Sequence, residues 1–183
     1  MQGKSEQPSS SVSLVVAARD QEPILANLLE LYIHDFSEFH PMDMGPDGRF
    51  GYKNLSEYWS EPCRQPFLIA VDEELAGFAL VKKARRLSGD GQVGGDSVWD
   101  MAEFFIVRAY RRHGIGLAAA HLVWHQFPGS WQVRVMHSNR AALQFWQRAV
   151  DTFAGHALVP LSMERDGKTW AVFTFESRGV SNA

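Results

Sequence analysis

Arg111-Arg112-His113-Gly114-Ile115-Gly116 follows an apolar run over residues 104–107 and opens a helix-patterned stretch over residues 117–127. A turn holding Gly114 and Gly116 at a helix start lets the backbone approach a ligand closely. The unpaired N–H groups of that first turn, helped by the helix dipole, attract phosphate. The spacing matches neither the dinucleotide-binding GxGxxG pattern nor the GxxxxGK pattern of the P-loop, so the expected guest is another diphosphate-bearing cofactor. Taken alone, the two glycines read equally well as an ordinary helix entry.

Working outward, the turn sits between an apolar strand at 98–107 and a helix at 114–127, followed by a strand at 131–136 and a helix at 139–150. A strand, crossover helix and strand make a parallel pair with a right-handed connection. Upstream, 67–71, the polar turn 72–74 and 75–81 read as a hairpin, and the glycine-rich turn 89–96 leads into 98–107. Before them come a first strand at 12–18 and a helix capped by Asp20, with Pro23 in its first turn. That helix carries Leu25, Leu28, Leu29, Tyr32, Phe36 and Phe39 on one stripe. Residues 40–65 read as a long functional loop with a short helix near 55–59, and 157–161 with 170–175 as a last strand pair. No internal repeat is present. The expected architecture is a single α/β (α+β mixed) domain over 12–177, between a polar arm at 1–11 and a tail at 178–183. Its sheet is mixed, with helices on both faces.

Composition agrees with one globular domain: 183 residues, 45% hydrophobic and 21% charged. Lys and Arg total 18 against 21 Asp and Glu, a net charge of -3, which disfavours nucleic acid as a partner held by phosphate neutralisation. The lone Cys63 has no disulfide mate in the chain, and the first eleven residues lack the apolar core of a signal peptide. No run is long and apolar enough to span a bilayer. These features predict a cytoplasmic chain with no membrane partner.

A second motif, Asn139-Arg140-Ala141-Ala142-Leu143-Gln144-Phe145-Trp146, follows the 131–136 strand. Together the two motifs resemble the GNAT superfamily of N-acetyltransferases, whose signatures are Q/R-x-x-G-x-G/A after the fourth strand and NxxAxxFY after the fifth. Arg111, Gly114 and Gly116 meet the first, and the resemblance spans about residues 99–150. It implies a GNAT-like fold, a central mixed, mostly antiparallel sheet of about six or seven strands splayed between the fourth and fifth. It further implies acetyl-CoA as cosubstrate, with its pyrophosphate at Arg111, Arg112, His113, Gly114, Ile115 and Gly116, and its pantetheine arm along Phe105, Ile106 and Val107 as an added strand would lie. Asn139 and Trp146 complete the cofactor side; Asn139 reads equally as a plain helix N-cap. The family often uses the last Tyr of NxxAxxFY as the acid that reprotonates the departing thiolate. Here that position is Trp146, and an indole N–H is no useful proton source, which leaves the acid open.

Attack on a thioester needs a neutral amine, hence a group that takes a proton from its ammonium form. Glu103 is the first candidate, as base or amine anchor, because its strand is otherwise apolar apart from Asp100, and desolvation raises a carboxyl toward a useful base. Its alternative is a structural salt bridge. His137, after the fifth strand, is the second candidate. His34, Glu38, His40 and Asp43, in an acidic and aromatic segment with Asp35, Tyr52, Tyr58 and Trp59, lie where the family builds its acceptor pocket; carboxylates beside aromatic faces suit a cationic amine. His121 and His125 have a spacing that can hold a metal but lack HExxH and read as a packed or exposed pair; the Gly-Asp pairs at 89–96 lack EF-hand spacing. No metal is expected. The function implied is acetyl transfer from acetyl-CoA to a primary amine, on a small molecule or protein, by direct attack in a ternary complex. The alternative is a non-catalytic acyl-CoA-binding regulatory module, and a nucleotide-binding protein is a more distant third. A homodimer is left open.

Overall fold

In the computed structural model, residues 11–87 and 93–179 are described. The remainder of the polar arm, Gly89, Asp90 and Gly91 of the glycine-rich turn, and residues 180–183 of the tail lie outside them. Seven strands form one sheet in the order β1-β2-β3-β4-β5-β7-β6: β1 Val12–Val16, β2 Arg64–Val71, β3 Glu74–Leu87, β4 Val93–Ile106, β5 Gly129–Met136, β6 Leu161–Arg165 and β7 Lys168–Ser177. Every neighbouring pair is antiparallel except β4 with β5.

Strand alternation divides the interior into two cores. Phe67, Ile69 and Val71 of β2 and Ala79 and Val81 of β3 pack beneath α3 (Ile115–Gln126) and α4 (Arg140–Ala154). Leu68, Phe78 and Leu80 point the other way, against α1 (Glu22–Phe36) and Tyr58 of α2 (Glu57–Ser60). Helices therefore cover both faces, as the sequence predicts.

Several boundaries differ from expectation for identifiable reasons. The cap position of α1 is Gln21 rather than Asp20, because a short 3-10 turn at Arg19–Gln21 precedes it and the Gln21 side chain turns back to accept the Ala18 N–H at 2.9 Å. Its buried stripe is Leu25, Leu28, Leu29 and Ile33, and the helix ends at Phe36, so Phe39 lies in the following turn. Strand β4 begins at Val93 rather than 98. Gly94 and Gly95 belong to the strand, with Gly95 at φ +79 where the register against β3 slips between Arg85 and Leu87. The last hairpin starts at Leu161, with 157–160 outside any strand. Its two-residue turn is Asp166-Gly167, both at positive φ (53 and 68), as the tight turn matching strand twist requires.

The feature that positions a site is the β4–β5 seam. The two strands pair only at Trp99 with Trp131 and Asp100 with Gln132. Beyond that they diverge, leaving the facing backbone edges of 101–106 and 133–136 without strand partners across the seam, which is the splay the resemblance implies.

Candidate active site

The cleft opened by the splay is a cavity of about 790 Å³, walled by β4 and β5, the end of α1, the 41–53 loop and the start of α4. The glycine turn follows the end of β4 and lies outside the cavity lining. Gly114, at the cap position of α3, has φ +80, and Arg112 before it has φ +68. Gly114 has no side chain with which to cap α3, and the first helical bond runs from the Ala118 N–H to the Gly114 carbonyl at 3.0 Å. The N–H groups of Ile115, Gly116 and Leu117 precede it and have no intrahelical acceptor, the arrangement that favours a bound anion. Gly116 has a different reason for being glycine: a Cβ there would lie 3.1 Å from Phe145 Cε2 and 3.5 Å from Ile106 Cγ1. It lets α4 pack against the first turn of α3. Arg112 and His113 are exposed beside the turn.

Arg111 is placed otherwise than its motif suggests. Its Nε donates to the Ile106 carbonyl at 2.7 Å, and its Nη2 pairs with Asp35 Oδ2 at 2.7 Å, while Arg108 holds the other carboxylate oxygen at 2.5 Å. The guanidinium lies over the Phe105 ring, 5.2 Å from its centroid. Its side chain braces the turn to α1 and takes the Ile106 carbonyl. Burial pushes the Asp35 carboxyl up, but hydrogen bonds from Arg108 and Arg111 outweigh it and hold it below the usual carboxylate value.

Glu103 owes its orientation to a β-bulge. Leu80 pairs with Glu103 but Val81 pairs with Met101, leaving Ala102 as the extra residue. Met101 faces the α3/α4 core, and counting on in twos would send Glu103 there too. The extra residue instead turns Glu103 to the α1 face with Ala102 and Phe105. There Tyr52 Oη donates to Glu103 Oε1 at 3.1 Å, and the Tyr32 phenol of α1 stands near enough to favour the charged carboxylate. Although the residue keeps partial exposure through the cavity, its carboxylate is deep enough for desolvation to raise its pKa. The two phenols and the charge of Arg134 oppose that rise. Burial and the nearby Glu103 push the Tyr32 and Tyr52 hydroxyls above their ordinary range, and that of Tyr58 to about 12. All three are neutral at working pH; the buried Tyr58 hydroxyl has no hydrogen-bond partner among the described residues.

The remaining predicted residues separate into two groups. Asn139 lines the cavity and also caps α4, its Oδ1 accepting the Ala142 N–H at 3.0 Å. Trp146 lines the cavity from a buried position, packed edge-on against Phe104 at 5.2 Å and Phe145 at 4.8 Å. His40 and Asp43 are in the wall, and His40 meets Lys168. His34, 72% exposed, and Glu38 are not in the wall. Nor is His137, whose backbone N–H bonds the Thr169 carbonyl at 3.0 Å. His121 and His125 pack on Phe153. Among the described residues no cluster of three or more His, Cys, Asp or Glu has metal-binding proximity, and no helix is long and apolar enough to cross a membrane.

Sequence reasoning passed over Arg134 and Tyr32. Arg134 forms a two-pronged ion pair with Asp100 (2.8 and 3.3 Å), and Asp100 is only 1% exposed. The signal was available, since Arg134 is a lone cation in an otherwise uncharged strand.

The sequence model of the acetyltransferase (GNAT) family matches residues 25–150. No curated protein matches the chain. Solved structures of similar fold include an acetyltransferase from Thermus thermophilus (16% identity, TM-score 0.61, covering 90% of this chain and 97% of that one). Another is a GNAT-family acetyltransferase from Streptococcus agalactiae (10% identity, TM-score 0.64, 90% and 95%). A third is spermidine N-acetyltransferase from Vibrio cholerae in complex with CoA and spermine (8% identity, TM-score 0.56, 91% and 95%). At such identities the structural likeness speaks for fold alone, whereas the family match covers most of the chain and both motifs, and on that ground the chain belongs to the GNAT family of acetyltransferases.

Proposed function

We propose that this protein transfers the acetyl group of acetyl-CoA to a primary amine on a cationic acceptor, by direct attack in a ternary complex. The observation that carries this reading is a desolvated, hydrogen-bonded carboxylate, Glu103, inside a splay one of whose strands, β4, runs on into an uncapped helix N-terminus. Acetyl-CoA supplies an activated carbonyl. The chain's part is to hold, orient and move a proton. The free N–H groups of Ile115, Gly116 and Leu117 suit a diphosphate, with Arg112 and His113 beside them. The unpaired edge of β4 toward Phe105, Ile106 and Val107 suits an extended amide-bearing arm, although the Ile106 carbonyl is held by Arg111 and the Val107 N–H by the Ala76 carbonyl, so an arm there would use the groups these contacts leave. Asn139 and Trp146 wall the same cleft.

Glu103 accepts the ammonium proton, and its raised pKa brings it nearer to neutrality, where a general base is effective. Tyr52 fixes the carboxylate, with the Tyr32 phenol beside it. Asp43 and His40 at the mouth, with the aromatic faces of Phe36, Phe50 and Trp170, suit a cation. Cys63 is bonded to Glu61 and is not in the cavity wall, in keeping with transfer without a covalent carrier. The deciding experiment is an acetyl-CoA consumption screen across amine classes, with mass spectrometry of products. Acetylated amine is the expected product. Tight acetyl-CoA binding with no turnover on any amine would replace this reading with a regulatory binding module.

A further inference from the structure

We propose that Arg134, anchored by Asp100, is a positioning residue whose charge keeps Glu103 in its proton-accepting form across the splay. The inference rests on the reading of Glu103 as base, and it starts from the sheet. Trp131, Val133 and Val135 of β5 face the α3/α4 core, so by alternation Arg134 faces the α1 side. The bulge at Ala102 turns Glu103 to that same side. The two charges thus stand on one face of two strands that no longer pair, and both line the cavity.

Arg134 does not reach Glu103 as a salt bridge. Its Nη2 and Nε are engaged by Asp100 at 2.8 and 3.3 Å, at the last paired residue of β4. This division has a chemical logic. A desolvated carboxylate with no cation nearby would retain its proton at neutral pH, whereas one clamped by a forked guanidinium would be too weakly basic to take a proton from an amine. A cation held at a distance by another acid gives an intermediate outcome.

The groups facing Glu103 are Tyr32 from α1, Tyr52 from the 41–53 loop, Tyr58 from α2, Lys82 from β3 and Arg134 from β5. The tyrosines are neutral, their hydroxyls pushed up by burial. Lys82 stands opposite Asp100 in the β3–β4 register. Lys53, from the 41–53 loop, also lines the cavity, but of the cations that act on the Glu103 carboxyl, Arg134 is the one that shares the cleft with it.

The test follows the Glu103 carboxyl directly. In protein carrying carbon-13 in its glutamate side chains, the resonance absent from Glu103→Gln is titrated by NMR in wild type and in Arg134→Met, Arg134→Lys and the double variant Asp100→Leu/Arg134→Met. The double variant removes both charges together, so no buried acid is orphaned if the single change fails to fold. The titration midpoint is expected to rise by about one pH unit in Arg134→Met and by less in the double variant, where the opposing charge of Asp100 is lost as well. Arg134→Lys, which restores the charge, should return it close to wild type. The acid limb of kcat/KM should follow the same midpoints. A folded Arg134→Met whose Glu103 midpoint stays at the wild-type value overturns the proposal, as does, where that variant does not fold, a double variant with no rise at all. A midpoint that moves while the acid limb stays still supports the coupling and removes Glu103 as the base, so the two failures are told apart.

Discussion

Along its β3 side, β4 is paired from Val93 to Ile106, whereas along its β5 side it is paired only at Trp99 and Asp100. The first seam satisfies backbone donors and acceptors internally and contributes to stability. The second leaves a row of them facing a cavity, as an exposed strand edge does, with a recess that an extended ligand can complete. Below the divergence the seam is closed by Trp99, Trp131 and Phe127, whose rings lie 4.5 to 6.3 Å apart. Above it stand Glu103, Tyr52 and Asn139. One strand therefore serves stability along one edge and ligand binding along the other, and substitutions on either side of Asp100 should separate the two.

The largest effect is expected in the open part. Glu103→Gln should lower turnover by about 10² to 10⁴ with acetyl-CoA binding nearly intact, since a base is lost and shape is kept. Rate measurements beside a binding isotherm check it, and a wild-type rate would end the assignment. If Glu103 anchors the amine instead, apparent acceptor affinity falls while the acid limb of the pH profile persists. In the closed part, Trp131→Ala should cost about 3–5 kcal/mol of stability by denaturant midpoint, because Trp131 is fully buried and its Nε1 donates to the Phe127 carbonyl. An unchanged midpoint would mean that the throat is not a structural element.

Next in size is Gly114→Asp. Aspartate tolerates the left-handed backbone there but sets a negative charge at the helix N-terminus. The stabilisation by acetyl-CoA, about 2.7 kcal/mol at one hundred times Kd, should vanish from thermal melts. Gly114→Asn, equal in shape and uncharged, should retain part of it. Unchanged binding in both would place the cofactor elsewhere.

The smallest effect lies at the junction with α1. Asp35→Asn should lower Tm by about 2–4 °C, the shift expected for about 1 kcal/mol in a chain of this size. The pH dependence has a definite sign. Asp35 has a lowered carboxyl pKa, so its contribution is present above its ordinary value of 3.8 and is lost as pH falls through its lower folded value. Glu103 behaves oppositely: its raised pKa favours the fold at low pH, and that contribution is lost as pH rises through the folded value. Comparing acid-melting curves of Asp35→Asn and wild type isolates the first. The gap between the two curves should be full above pH 4 and close on further acidification; no gap at neutral pH would show that the Arg108 and Arg111 contacts hold nothing.

What could be read in the sequence was local. The glycine turn, the Asn139 motif and the acid at 103 in an apolar part of β4 are statements about neighbours in the chain, and the structure brings Glu103 and Asn139 into one cavity. What escaped depends on register. Arg111 is committed to Asp35, 76 residues away, and no spacing rule foretells that partner. The Asp100–Arg134 pair needs knowledge of which strands are adjacent and where they part. The extension of β4 through Gly94 and Gly95 was hidden because glycine ordinarily marks a turn, whereas here it accommodates a bulge. Asp166-Gly167 is the exception, a readable hairpin signal that was passed over.

The bulge at Ala102 has one more consequence, for how this strand can change length. Its two halves are out of phase: Trp99 and Met101 face the α3/α4 core on odd numbers, Phe104 and Ile106 on even ones. A chain lacking Ala102 would keep these side chains on their present faces and lose only the irregularity. A chain lacking a residue farther along, Trp99 or Phe105 for example, would turn part of the strand over, exchanging members of the two cores. Insertions and deletions along β4 are therefore not equivalent. The stretch between Met101 and Glu103 is where the strand can gain or lose a residue without inverting, and the distance in sequence from the acid to the glycine turn is fixed by the half that follows it.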